Sequence, residues 1–173
     1  AISTAIFGGL IPSSISLLMN RGRGLKLWPV ASWKAIAFLS LFWAWKGVEV
    51  DALYRMQALV FGLGVDVRTI FFKVLVDMFL YNPLLAGWTQ IVCYWFLEKA
   101  FRPAPGEGRL FLAGLGPRLL TTLISTWGIW LPMVSLIYSM PASLQIPLFN
   151  IVLCFWGLML ASLSIRAQGK VKA

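Results

Sequence analysis

The chain has 173 residues, of which 60% are hydrophobic and 12% are charged, and its formal net charge is +9. A soluble domain averages about 45–50% apolar and about 25% charged residues, so a chain this small with this composition would expose a largely apolar surface to water. These values exclude a water-soluble fold and predict a single membrane domain, residues 1–173, with the lipid bilayer as its solvent.

The residue types that most soluble enzymes use are scarce. Histidine is absent, and both cysteines, Cys93 and Cys154, lie inside apolar runs. The commonest general base at neutral pH and the soft metal ligands are therefore missing, and we expect no catalytic residue, no metal and no cofactor. The basic residues form short groups between apolar runs, which does not favour nucleic acid as a partner. Because no methionine precedes Ala1, we expect a processed or partial chain.

Five stretches approach the roughly 20 apolar residues that a helix needs to cross a bilayer. They are residues 1–19, 27–45, 78–97, 119–140 and 143–165. They predict an all-α polytopic bundle of about five membrane-embedded helices. The first stretch contains Pro12, and the fourth contains Pro132 and starts beside Arg118, so both are expected to be tilted, kinked or partly interfacial. If the fourth is interfacial, four helices cross.

The basic residues support five crossings, because short loops on the cytoplasm-equivalent side collect Lys and Arg. Five crossings place most of them on one side: Arg21, Arg23, Lys26, Lys99, Arg102, Arg109, Arg118, Arg166, Lys170 and Lys172. Four crossings would move the basic C-terminal residues to the opposite side and weaken this contrast.

Between the second and third stretches the pattern predicts a separate amphipathic helix lying in the membrane interface. Its apolar positions Val50, Leu53, Tyr54, Ala58 and Phe61 are expected opposite its polar positions Glu49, Asp51, Arg55 and Gln57. The third stretch is predicted to belong to one long helix over 69–97 that bends at Pro83. A Pro/Gly linker over 102–108 then divides the chain into a front half, 1–101, and a back half, 109–173.

Four ionisable residues fall at expected membrane depth, where charges are costly and often functional. They are Lys34, Lys73, Asp77 and Arg118. Lys73 and Asp77 are four residues apart on one helix face, so we expect them to neutralise each other. Two interpretations remain open: the four groups are structural, with Lys34 and Arg118 reaching the headgroups, or some of them line a hydrated path.

An ordered series of residues resembles a known family pattern. It runs K-x-x-x-D-M-x-x-x-x-P over 73–83, W-G-I-W over 127–130, and P-x-x-x-Q-x-x-x-x-N-x-x-x-x-x-W over 141–156. This series is similar to that of the twenty-two-kilodalton peroxisomal membrane protein family. Met78, Thr126, Leu131 and Gln145 replace the glutamine, asparagine, proline and arginine of the family pattern. The match in the front half is weaker still, which indicates a distant member.

The resemblance implies a small multi-helix protein without enzymatic activity in an organelle membrane. The mitochondrial inner membrane is expected first, with the peroxisomal and plastid membranes as alternatives. A channel or solute-permeation function is implied, and four membrane helices are usual in the family. The family-pattern residues are Lys73, Asp77, Pro83, Trp127, Trp130, Pro141, Asn150 and Trp156, to which Arg118 is added as a possible pore residue. The alternative function is a non-catalytic accessory subunit of a larger respiratory or photosynthetic complex, with other membrane subunits or a second copy as partners.

Overall fold

The computed structural model describes residues 1–20, 33–99 and 101–171, with side chains described for 1–15, 33–99 and 101–159. Within these ranges every regular element is a helix, so the all-α prediction is confirmed for them. In chain order the helices are α1 (2–20, π-helical over Ala5–Leu10), α2 (Trp33–Phe61), α3 (Val67–Glu98, π-helical over Asp77–Ala86), α4 (Glu107–Ala113), α5 (Leu115–Tyr138) and α6 (Ala142–Val171).

Among the described residues, three helices are long and apolar enough to cross a membrane, fewer than the five predicted. They are Val67–Glu98, Leu115–Tyr138 and Ala142–Met159. The fourth predicted stretch, which the sequence left open as interfacial, is one of the three. The first stretch is helical, but its described apolar part, Ile2–Ile15, is shorter than a span.

The second predicted stretch, 27–45, differs most from the prediction. Its residues 27–32 lie outside the described part of the chain, and from Trp33 onward it forms one continuous helix to Phe61. The predicted separate interfacial helix is therefore wrong, since those residues are the second half of α2. This helix is not among the candidate spans, because charged residues recur along it: Lys34, Lys46, Glu49, Asp51 and Arg55.

The long third helix is confirmed. Helix α3 is continuous from Val67 to Glu98, and Pro83 lies inside its π-helical part. The helix begins where the Asp66 carboxylate accepts the backbone N–H of Thr69, the usual role of an N-cap aspartate. At 1.5 Å per residue its length is about 48 Å, which exceeds the roughly 30 Å hydrocarbon core of a bilayer. In a bilayer that α3 crosses, its ends would therefore extend to the level of the lipid headgroups.

The chain divides into two compact units. One consists of Ala1–Met56 and Ile146–Ala173, and the other of Gln57–Gln145. Neither boundary falls in the predicted linker 102–108, which lies within the second unit. The linker is held in place by its own hydrogen bonds: the Glu107 carboxylate pairs with the Lys99 ammonium and accepts the backbone N–H of Ala104. We name the two units the terminal unit and the central unit.

In the terminal unit, α1 packs closely against α2 and α6 through glycines. A Cβ atom at Gly9 would lie 2.8 Å from the Ser40 Cα atom, and a Cβ atom at Gly157 would lie 2.9 Å from Pro12 Cγ. The Asn150 side chain donates to the Ser3 hydroxyl at 3.1 Å and thereby links α6 to the first turn of α1. Small residues at helix interfaces and polar bonds between helices are typical of membrane bundles.

Candidate functional site

The central unit encloses a carboxyl group between two helices. Asp77 is the first residue of the π-helical part of α3 and is only 6% exposed. The Tyr138 hydroxyl, at the end of α5, donates to Asp77 Oδ2 at 2.7 Å, and Tyr138 is 1% exposed. A buried carboxyl group needs such a partner, because leaving its oxygen unbonded costs the desolvation penalty of that oxygen.

The predicted ion pair between Lys73 and Asp77 does not form. Three ion pairs occur among the described residues, and neither side chain belongs to any of them. Lys73 is buried on the turn that precedes Asp77, at 3% exposure. Four-residue spacing does place both on one stretch of helix, but the Asp77 carboxyl is turned towards α5, where the Tyr138 hydroxyl lies. The prediction was wrong because spacing along one helix gives no information about a partner on another helix.

A third polar side chain approaches this part of α3. Gln57, near the end of α2, is completely buried, and its amide group donates to the backbone carbonyl of Lys73 at a long 3.4 Å. Its carbonyl oxygen is buried and accepts no hydrogen bond from the described residues. The sequence pattern had placed Gln57 on the exposed face of its helix, and this prediction is wrong. We name Gln57, Lys73, Asp77 and Tyr138 the buried polar cluster.

Pro83 and Trp127, two residues of the family pattern, are connected through a backbone carbonyl. In a π-helix each N–H bonds to the carbonyl five residues earlier, and Pro83 has no N–H for the carbonyl of Met78. The Trp127 indole N–H donates to that carbonyl at 3.0 Å, and its ring lies 4.8 Å from the ring of Phe79. The tryptophan thus satisfies a backbone acceptor that the proline cannot.

The other residues singled out from the sequence lie elsewhere. Trp130 is buried on α5, and Pro141 is exposed in the turn between α5 and α6. Arg118 is exposed and stacks its guanidinium 5.2 Å from the centre of the Phe111 ring. Asn150 and Trp156 belong to the terminal unit. Of the family-pattern residues, Pro83 and Trp127 are thus connected through the Met78 carbonyl on α3, the helix that also carries Lys73 and Asp77.

The chemistry of the buried polar cluster is limited to hydrogen bonds and protons. Its members provide a carboxyl, a phenol, an amine and an amide, none of which is a soft metal ligand. In the described part of the chain no group of three or more His, Cys, Asp or Glu residues is placed to hold a metal ion. The cluster can fix the helices relative to one another and can hold a proton on Asp77.

Sequence reasoning missed the two partners that define the cluster, Tyr138 and Gln57. A signal for Tyr138 was present, because it lies eleven residues after Trp127, about three full turns of helix, and so on the same face of α5. A signal for Gln57 was present too, because it lies seven, four and three residues after Val50, Leu53 and Tyr54 and so on the same face of α2.

Comparison with known proteins gives no match: no family model, no curated protein and no solved structure matches the chain. The resemblance to the peroxisomal membrane protein family therefore stays a prediction based on the ordered residues alone.

Proposed function

We propose that the protein is a non-catalytic structural subunit of a larger membrane assembly. Its polar side chains mainly form hydrogen bonds between its own helices. Examples are the hydrogen bonds from Tyr138 to Asp77, from Trp127 to the Met78 carbonyl and from Asn150 to Ser3. Its outward surface is available to other molecules, since only 22% of the spanning window of α5 and 17% of that of α6 are buried within the chain.

The main support for this proposal comes from the exposed side of α5. Four exposed small or compact residues, Thr121, Ser125, Gly128 and Pro132, succeed one another at intervals of three or four and so form one stripe along the helix. Large apolar residues flank it: Leu120, Ile124, Ile129 and Leu136. Small residues between larger ones allow another helix to approach closely, whereas a purely lipid-facing side needs only large apolar residues.

The hydroxyl groups of this stripe are already satisfied. Thr121 donates to the carbonyl of Pro117 at 3.0 Å, and Ser125 donates to the carbonyl of Thr121 at 2.9 Å. The stripe therefore offers a narrow, closely approachable surface without free hydroxyl donors. This supports packing against a neighbouring helix over passage of a hydrated solute.

The test uses Gly128, where nothing lies within 4 Å of the position of a Cβ atom. Gly128→Leu should leave folding intact and block close approach of a partner helix. We expect the wild-type protein, purified in mild detergent, to co-migrate with other chains on a native gel, and Gly128→Leu to lose them. Gly116→Leu is the matched control, because Gly116 is equally open but lies on another side of α5. Migration of the wild-type chain alone, or only with copies of itself, would contradict the proposal.

A second candidate is solute permeation, favoured by the buried polar cluster itself. Asp77 and Lys73 lie within a candidate span without pairing to each other, and the Gln57 carbonyl oxygen accepts no hydrogen bond from the described residues. Such groups are suited to contact water or a solute at membrane depth. Under this function, Asp77→Asn would change the conductance of the purified protein in planar bilayers. No conductance above the lipid background would remove this candidate.

A further inference from the structure

The start of α3 forms an open pocket that neither proposed function uses. Its volume is about 430 Å³, and it is lined by Phe61, Asp66, Arg68, Thr69 and Phe72. This volume lies within the range of small-molecule sites. All five residues belong to the central unit, and none of them is a member of the buried polar cluster.

One wall of the pocket is aromatic. The Phe61 and Phe72 rings are stacked nearly parallel, with an interplanar angle of 8° and centroids 6.0 Å apart. The faces of such rings carry negative charge density and attract cations, above all ammonium groups that are weakly hydrated.

The pocket also has one negative and one positive side chain. Asp66 accepts hydrogen bonds from the hydroxyl and the backbone N–H of Thr69, which lower the pKa of its carboxyl below the usual 3.8, so that the group is ionised at neutral pH. Arg68 is exposed and belongs to none of the three ion pairs found in the described part of the chain. A guanidinium is well matched to the oxygens of a phosphate.

The position of the pocket points to the membrane surface. It lies at the first turn of the candidate span Val67–Glu98, whose length brings its ends to headgroup level. Three apolar side chains in the chain segment between Phe61 and Arg68 are largely exposed, namely Leu63 at 72%, Val65 at 53% and Val67 at 85%. Such exposed apolar side chains are unfavourable in water and suit contact with acyl chains.

We propose that this pocket binds the headgroup of a zwitterionic phospholipid. The phosphate lies against the Arg68 guanidinium, and the ammonium group lies between the Asp66 carboxylate and the aromatic wall that Phe61 and Phe72 form. One positive and one negative residue complement a headgroup that carries both charges, whereas an anionic headgroup would meet the Asp66 carboxylate with like charge.

The test measures binding of phosphatidylcholine and of phosphatidylglycerol to the detergent-solubilised full chain by native mass spectrometry. We expect the wild-type protein to prefer phosphatidylcholine. Arg68→Gln should weaken phosphatidylcholine binding about tenfold, through loss of a charge-assisted hydrogen bond. Asp66→Asn should reduce the preference for phosphatidylcholine over phosphatidylglycerol while leaving the helix capped, since asparagine is an equally good N-cap.

The control variants are Arg55→Gln and Asp51→Asn, an exposed ion pair on α2 outside the pocket, which should change neither affinity. Glycerophosphocholine, which has the headgroup but no acyl chains, should compete with bound phosphatidylcholine. Equal affinity for the two lipids, equal effects of the pocket and control variants, or failure of glycerophosphocholine to compete would each overturn the proposal.

Discussion

At Asp77 the protein buries a carboxyl group whose hydrogen-bond partner lies 61 residues further along the chain, at Tyr138. Interior polar groups are costly without a partner, and lipid supplies none. The bond between Asp77 and Tyr138 therefore ties the end of α5 to the first half of α3, and the position of one helix depends on the side chain of the other.

Removing only the Tyr138 hydroxyl should be costly. We expect Tyr138→Phe to lower the free energy of unfolding by about 1–3 kcal/mol, because it leaves a buried acceptor without its donor. Adding Asp77→Leu should recover part of this loss, since the unsatisfied group is then gone. The measurement is thermal or detergent-induced unfolding of both single variants and the double variant.

A second double-mutant cycle, with Lys73→Met and Asp77→Leu, provides the comparison for the pair of Asp77 and Tyr138. Because Lys73 and Asp77 form no ion pair, we expect their coupling energy to be smaller than that between Asp77 and Tyr138. If the coupling energy between Lys73 and Asp77 were larger than that between Asp77 and Tyr138, the ion pair predicted from helical spacing would be supported after all.

Among the elements, α3 shows how a proline is accommodated inside a spanning helix. The π-helical part Asp77–Ala86 contains Pro83, and the Trp127 indole N–H donates a hydrogen bond to the carbonyl of Met78. Inside a membrane the Met78 carbonyl needs such a side-chain donor, because Pro83 has no N–H and the hydrocarbon contains no water to replace it.

We expect Trp127→Phe to lower the free energy of unfolding by roughly 1 kcal/mol, because the ring is kept while the N–H that bonds to the Met78 carbonyl is lost. In a Pro83→Ala background, where residue 83 again has an N–H, the same change should cost less. Unfolding of the four combinations in detergent gives this coupling energy. Equal costs in both backgrounds would show that the proline and the tryptophan act independently.

At the scale of whole helices, close approach depends on a few of the described glycines and not on all of them. At Gly9 a Cβ atom would meet backbone atoms of α2 at 2.8–3.1 Å, whereas at Gly116 it would meet nothing within 4 Å. Backbone atoms cannot move aside as a flexible side chain can, so α1 and α2 would have to separate.

Gly9→Ala should therefore destabilise the protein by about 1–3 kcal/mol, as overpacking of a close interface generally does. Gly116→Ala, with open space and better helix propensity, should be neutral or stabilising by up to roughly 1 kcal/mol. Thermal unfolding in the same detergent compares the two. A loss at Gly9 no greater than at Gly116 would mean that the helices of the terminal unit separate without cost.

Much of the architecture was predictable because it depends on local composition. The helical class follows from the apolar runs, and the continuous helix through Pro83 follows from the unbroken run after Thr69. The buried face formed by Val50, Leu53 and Tyr54 follows from helical periodicity. These features need no knowledge of distant contacts.

Contacts between distant segments were decided only by the tertiary structure. The sequence paired Asp77 with Lys73, its neighbour along the helix, and the fold pairs it with Tyr138. Gln57 was expected outside because it is polar, although its spacing from Val50, Leu53 and Tyr54 puts it on their helix face, and packing buries it completely. The chain also joined a predicted span and a predicted interfacial helix into one helix, α2. Composition and periodicity report the environment that a segment prefers, but the partner of a side chain depends on which helix faces it, and that is fixed only when the helices pack.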